Sequence, residues 1–414
     1  MLQKITQYTT EKLGVNADYV FKGGSWLTVN TAISAVSAIL LAMILGNILS
    51  LEVYGTYKYL ISVLALIGAC LLNGFKTIIP QTIAKGGIDF FTVASRMYFK
   101  WSFVATILSF IGAVHYFSQS NIVLAIGMMC IGIFLPFYYT FNLYGTYPIG
   151  TANFKLQAKQ NLAYVLCTTT AVVLAALFTS DALSILIALL ISSTGISGIF
   201  YFATRKKIQQ TREVYEKETK YGIQLSFIMM FGKISETLNN IAVFHFLGAT
   251  QLAIYAFALA IPKQLRISQK ILALLALPSF SRRTLSELRV AMFKKLCIAY
   301  SFVVVLIVSY WISAPIIFTY LFPQYLQAIP YSQFLSLMLL TIPTSMLRQT
   351  LSSHMQKKRL YFYEITVPIV RITTLITLVQ MYALWGAVAS FLTVAAYQTI
   401  VLFIAFFTIK PDKF

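Results

Sequence analysis

The sequence predicts an all-α polytopic membrane protein of twelve transmembrane helices arranged as two six-helix lobes, and three observations carry that prediction. Only 11% of the 414 residues are charged while 58% are hydrophobic, against a charged share of about 25% in soluble domains. Apolar segments of about twenty residues, the length that crosses a bilayer core of about 30 Å, recur along the whole chain. The basic residues between them fall on alternate sides, as the positive-inside rule requires.

After a polar start at 1–22, apolar segments run over 25–49, 57–79, 98–117, 122–144, 162–179 and 183–203. The most polar stretch follows, and a second set runs over 223–247, 252–279, 296–320, 332–354, 360–382 and 384–409. This predicts an N-terminal lobe at 1–203, a basic linker at 204–221 and a C-terminal lobe at 222–414. The linker reads as an exposed helix, with Glu213, Glu216 and Glu218 among its bases. No removable signal peptide is expected before the first long segment. With the N-terminus placed in the cytoplasm, 24 of the 32 Lys and Arg lie on that side, from Lys4, Lys12 and Lys22 to Lys410 and Lys413, and the opposite loops hold none. Both termini are therefore expected to be cytoplasmic. Cys70, Cys130, Cys167 and Cys297 are isolated in apolar segments and predict no disulfide framework.

Eight cations remain inside the spans: Lys58, Lys76, Lys233, Lys263, Arg266, Lys270, Arg348 and Arg371. Glu236 and Glu364 are the comparable acids, so the membrane interior is net +6. Lys263, Arg266 and Lys270 are spaced by three and four residues, which at ~100° per residue places them within a ~60° arc of one helix face. A charge at the bilayer centre costs roughly 2.5–3.5 kcal/mol even on the lenient insertion scale. Lys233, Lys263, Arg266, Lys270 and Arg371 together would cost roughly 15 kcal/mol, as much as the whole stability of a domain at ~5–15 kcal/mol. Lipid exposure is untenable for that set, and a hydrated cationic cavity follows. Lys233 and Glu236, three apart, form a candidate self-neutralising pair. Arg348 completes the cationic candidates. Lys76 and Glu236 are weaker ones, as is Asn73, three before Lys76. Lys58 and Lys76, eighteen apart, are expected on one face of a continuous second helix, ~27 Å apart.

The two halves read as parallel repeats. Leu45-Gly46 followed by Tyr54 recurs as Leu247-Gly248 followed by Tyr255, and the next helix in each half is expected to end at a proline, Pro80 or Pro278. In folds of parallel repeats the substrate path is expected between the halves.

The run from Leu45-Gly46-Asn47 through Leu51-Glu52-Val53-Tyr54-Gly55-Thr56-Tyr57, with the six-plus-six layout and basic middle linker, resembles polysaccharide transporters of the multidrug/oligosaccharidyl-lipid/polysaccharide (MOP) exporter superfamily. The branch it resembles is the Wzx-type flippases of O-antigen and capsule repeat units. The resemblance implies a MATE-like fold and alternating access in a bacterial inner membrane. It implies as cargo a polyprenyl-diphosphate-linked oligosaccharide, a unit of lipopolysaccharide or a related surface polymer. It supplies no site residues; those above come from charge and position.

Composition and motifs weigh against other classes. A drug/cation antiporter of the same fold would hold cations on buried acids, and this interior has the opposite sign. A membrane glycan polymerase would need a large external loop, and the longest outer connection is about a dozen residues near 321–331. No catalytic residues, metal-ligand cluster or nucleotide loop is read from the sequence, so neither an enzyme nor an ATP-driven pump is expected. No cofactor is expected either; coupling to an H+ or Na+ gradient stays open. The expected partners are the lipid-linked oligosaccharide, the bilayer and polymerase or chain-length machinery, with no nucleic acid.

Overall fold

The computed structural model describes residues 17–208, 215–280, 285–353 and 357–408, and the side chains of 17–24, 27, 267–280, 285–291, 294, 352, 353 and 357 fall outside that description. Among the described residues every regular element is a helix. The chain forms two compact units, residues 1–41 with 64–230 and residues 42–63 with 231–414.

The first unit begins in α1 (Ala17–Ile48) and resumes in α2 (Leu51–Ala69), α3 (Phe75–Ala84), α4 (Phe90–Ser118) and α5 (Ile122–Phe141). It continues through α6 (Thr146–Gly150), α7 (Phe154–Thr179) and α8 (Ala182–Arg205) into the start of α9 (Glu216–Leu247). The breaks fall where polar caps satisfy the first amides of the next helix. Asn121, Asn153 and Asp181 accept from the N–H of Leu124, Leu156 and Ser184 at 3.1, 3.0 and 3.1 Å. Along α4, the small buried residues Ser102, Ala105, Ser109 and Ala113 recur every three to four positions. They let α5 approach closely, and Ser109 Oγ donates to the Met128 carbonyl at 2.8 Å. Ser34 of α1 accepts from Asn161 Nδ2 of α7 at 3.0 Å.

The second crossing is not one continuous helix ending at Pro80. α2 stops at Ala69, and Pro80 sits inside α3, which continues to Ala84. Backbone freed by such a break must find partners, because hydrocarbon offers none. Asn73 Nδ2 donates to the carbonyls of Gly68 and Leu71 at 2.8 and 3.2 Å, and the Gly74 N–H donates to Ser226 Oγ at 2.9 Å. Lys58 and Lys76 therefore lie on separate helices, α2 and α3.

Within the described ends of the expected linker Lys206, Lys207, Glu216, Lys217 and Lys220 are exposed, as expected, but two residues are held in place. Ile208 and Tyr215 are buried, and the Tyr215 hydroxyl donates to the Asp89 carboxylate. Glu216 and Glu218 open α9 itself, where acidic side chains favour the helix N-terminus. Residue Glu213 lies outside the described residues.

The second unit holds the end of α1, the first part of α2, most of α9, and α10 (Ala249–Phe280), α11 (Leu285–Leu321), α12 (Ile329–Ser336), α13 (Thr341–Ser353) and α14 (Lys357–Phe407). The tenth crossing is again composite, with 3₁₀ turns at Pro323–Ala328 and Leu337–Leu340 on either side of α12. The eleventh and twelfth are the stretches of α14 on either side of Tyr382 and Ala383, which leave helical geometry, Ala383 at φ 49°. α10 runs on to Phe280 past the expected stop at Pro278.

Among the described residues, seven stretches are long and apolar enough to cross a membrane by themselves, α14 counting as one although it carries two crossings. Those that fall short are the crossings broken at Asn73 and at Leu337–Leu340, and those whose interiors carry Lys233 with Glu236 or Lys263 with Arg266. Breaks and charge thus concentrate in four of the expected spans.

Where α1 meets α2, the second unit closes on an aromatic core. Tyr54 packs on Phe257 with ring centroids 4.7 Å apart, and Phe257 on Tyr325 at 3.7 Å. A methyl group at Gly46 would run into the Phe257 ring, and one at Gly55 into the Ala249 carbonyl. A ring can shift but a helix backbone resists. Gly55→Ala is therefore expected to cost about 1–3 kcal/mol, read as a melting temperature lowered by several degrees in detergent, with Gly46→Ala costing less. Gly145→Ala, with nothing within 4 Å of the added carbon, is the control and is expected to shift little. Equal melting for all three would remove the close approach from this account.

Candidate functional site

The positive charges separate into three groups once placed on the helices. The first is a cluster within the second unit. Arg266 of α10 and Arg371 of α14 line one cavity of about 10 Å3 with Asn239, Thr341, Phe391 and Gln398, room for about one water. Arg371 is 8% exposed, and its Nη1 donates to Ser235 Oγ at 3.4 Å and lies 3.8 Å from a Glu236 carboxylate oxygen. Both contacts are long for a guanidinium with five donors. The Glu236 side chain is 67% exposed, so water competes for it. Arg371 also lies within electrostatic reach of Arg266, Tyr363 and Tyr255. Two guanidiniums thus share the cavity with uncharged polar groups, and the mostly exposed Glu236 carboxylate lies beside Arg371 without lining it.

Local sequence explains the placement. Ser235 and Glu236 lie four and three residues before Asn239, so each neighbours it across one turn of α9. Thr374 Oγ1, one turn past Arg371, pairs with Ser390 Oγ at 3.0 Å across the break in α14, which fixes Arg371 relative to the stretch carrying Gln398. Asn239, Gln398 and Thr341 were not singled out by the sequence reading, which followed charge. The available signal was an amide side chain inside each apolar run, at Asn239 and Gln398.

The second group consists of cations committed elsewhere. Arg348 pairs closely with Glu364 and lies 5.7 Å from the Tyr363 ring centroid; it does not line the cavity of Arg266 and Arg371. Lys76 of α3 sits 5.5 Å from the Tyr139 ring centroid, and Tyr139 in turn donates to the Leu64 carbonyl at 2.9 Å. Its neighbour Asn73 is buried and spends its amide on backbone carbonyls, a role in closing the helix break. Lys58 lies 5.1 Å from the Tyr54 ring centroid.

The third group comprises lysines on the helices that carry Arg266 and Glu236. Lys263, one turn before Arg266 on α10, is exposed, and Lys233 on α9 is half-buried. The side chain of Lys270 lies outside the described residues, so the three-residue stripe is seen through Lys263 and Arg266.

No family model matches the sequence, and no curated protein sequence matches it. Solved structures do match in three dimensions. The MATE multidrug transporter DinF-BH superposes with a TM-score of 0.66 at 13% identity, over 95% of this chain and 97% of that one. The lipid II flippase MurJ in its inward closed conformation gives 0.63 at 12% identity, over 92% and 87%. The fold is that of MATE-type transporters. A MOP superfamily transporter from Pyrococcus furiosus, whose binding pocket of reverse polarity suggests a different function, gives 0.60 at 12% identity over 94% of both chains. At these identities the likeness establishes the architecture and carries no side-chain role across.

Partly exposed ion pairs contribute little to stability, with a median of roughly 0–1 kcal/mol. Glu236→Gln and Glu364→Gln are each expected to lower stability by less than about 1 kcal/mol, measured by thermal unfolding in detergent. A loss of several kcal/mol at Glu236 would make it a structural counter-ion and would remove the surplus positive charge from the cavity.

Proposed function

We propose that the chain is a flippase that carries a polyprenyl-diphosphate-linked oligosaccharide from the cytoplasmic to the outer leaflet of the bacterial inner membrane, by alternating access through a cationic cavity. The cargo in this reading is an O-antigen or related surface-polysaccharide repeat unit. One observation carries it: Arg266 and Arg371 line a single cavity, and the acid beside Arg371 is mostly hydrated. A guanidinium offers phosphate a bidentate fork, and lysines as point charges are available on the same helices in Lys263 and Lys233, with Lys270 a third candidate from the sequence. Asn239, Thr341 and Gln398 add uncharged hydrogen-bonding groups to the lining, and the cavity, with room for about one water here, has to widen in the alternating-access cycle to admit the cargo. The MurJ neighbour, a lipid II flippase, supports the same class of cargo.

The drug/cation antiporter reading draws on the MATE multidrug transporters that share the fold. Two arginines in one cavity repel such a cargo, and the acids within the spans, Glu236 and Glu364, sit beside arginines. Transport in the proposed scheme draws on an H+ or Na+ gradient or on consumption of the flipped product by polymerase and chain-length machinery, with no resident cofactor.

The test is flipping of a fluorescent polyprenyl-diphosphate oligosaccharide in proteoliposomes. Hydrogen bonds to charged groups contribute ~1.5–3 kcal/mol each, so Arg266→Ala with Arg371→Ala is expected to slow flipping by roughly tenfold or more. Lys263→Ala, Arg266→Ala and Lys270→Ala combined should do the same, and Arg371→Lys should retain part of the rate. Normal flipping by the double and triple variants, correctly inserted, would refute the assigned site.

A further inference from the structure

A second cavity, of about 300 Å3, lies wholly within the first unit, where the start of α7 meets the end of α8. Its walls divide by chemistry. Leu156, Ala163, Phe200 and Ala203 are apolar, whereas Lys159 and Lys207 put two ammonium groups at its rim. Gln160 also lines it; that side chain is 9% exposed, and its Oε1 is buried with no hydrogen-bond partner. A buried amide oxygen left in this state forfeits its hydration with nothing in return, so such groups normally have partners. A terminal amide rotates broadly about its last torsion, which lets Gln160 meet a hydroxyl donor in the cavity.

The position along the helices narrows the ligand. Lys159 falls just before the apolar run 162–179 and Lys207 just after 183–203, which is the level of lipid phosphates. Next to the cavity, α7 and α8 present exposed Leu162, Leu166, Ile199 and Phe202, a surface suited to acyl chains. Two cations, an unpartnered acceptor and an adjoining apolar face describe one ligand: an acidic glycerophospholipid with a hydroxyl-bearing headgroup, such as phosphatidylglycerol.

We infer that Lys159, Lys207 and Gln160 form a binding site for the headgroup of a single acidic phospholipid, separate from the cavity of Arg266 and Arg371. The phosphate is held between the two lysines, the headgroup hydroxyl donates to Gln160, and the chains run along α7 and α8. Because no residue is shared with the proposed cargo site, the two readings succeed or fail independently.

Native mass spectrometry of the full chain, released from nanodiscs of equal phosphatidylglycerol and phosphatidylcholine, reads this directly. The wild-type chain is expected to retain one phosphatidylglycerol. Lys159→Gln with Lys207→Gln is expected to lose it by about fivefold or more, because both charge-assisted contacts to the phosphate are removed. Lys155→Gln with Lys206→Gln, which removes two bases outside the cavity, should retain it. Ala163→Phe fills the cavity while keeping every charge and should release the lipid too, in protein whose melting and elution are unchanged. Equal loss from both lysine pairs would indicate diffuse attraction to the surface, and retention by the Lys159 and Lys207 variant would place the lipid elsewhere. Displacement of the lipid by millimolar inorganic phosphate would make the site one for the free anion. Any of these three results overturns the inference.

Discussion

Hydrocarbon supplies no hydrogen bonds, and that single constraint explains where this chain is regular and where it is not. Uninterrupted helices satisfy their own backbones and need only apolar surfaces, which α4, α5, α7 and α8 provide with exposed residues such as Ile111, Ile133, Leu177 and Ile199. Every departure must bring its own partners. At the break of the second crossing, Asn73 and Ser226 supply them. At the break in α14, Thr374 and Ser390 join the stretches on either side. The same rule applies to charge: Arg348 has Glu364, and Lys76 has the face of Tyr139. What is left over is Arg371, whose contacts are long and which shares a cavity with Arg266.

Length and apolarity made the crossings legible, and the division of α14 at Tyr382 and Ala383 falls where two expected segments met. The composite second and tenth crossings were not legible, because hydropathy averages over a window and an interruption of four or five residues vanishes in it. Pro80 pointed to the wrong place for the same reason. A proline costs one backbone bond and is tolerated inside a membrane helix, whereas the real break at 70–74 depends on an asparagine folding back on carbonyls. Charge alone singles out Arg266 and Arg371 in the sequence, but not that they share one cavity. Asn239, Thr341 and Gln398 escaped because an uncharged polar residue in an apolar run has many structural roles. Asn73, picked as a candidate, has one of them.

The repeat offers a similar lesson. Leu45-Gly46 and Leu247-Gly248 look equivalent in sequence, yet their glycines serve different ends. Gly248 adopts φ 88° in the turn between α9 and α10, a conformation that side chains resist. Gly46 lies within helix α1 and is small because Phe257 fills the space beside it. The tyrosines that follow, Tyr54 and Tyr255, are both fully buried. What the two copies conserve physically is a large aromatic ring just inside a helix start, and each copy reaches the tight connection by its own route.

The weak pairing of Arg371 with Glu236 also bears on how a carrier could work. A transporter that held its anionic cargo against a fully satisfied arginine would have to break a strong native contact before binding. One with no counter-ion at all would hold a bare buried charge, at several kcal/mol. A carboxylate 3.8 Å away and 67% exposed lies between these limits: it lowers the cost of the empty site, and in the proposed scheme a phosphate with shorter, bidentate geometry would outcompete it. Binding and release then differ by the exchange of one acceptor for another at the same guanidinium, a small free-energy step. A cycle that must run in both half-reactions needs steps of that size, since cargo held too tightly is not released.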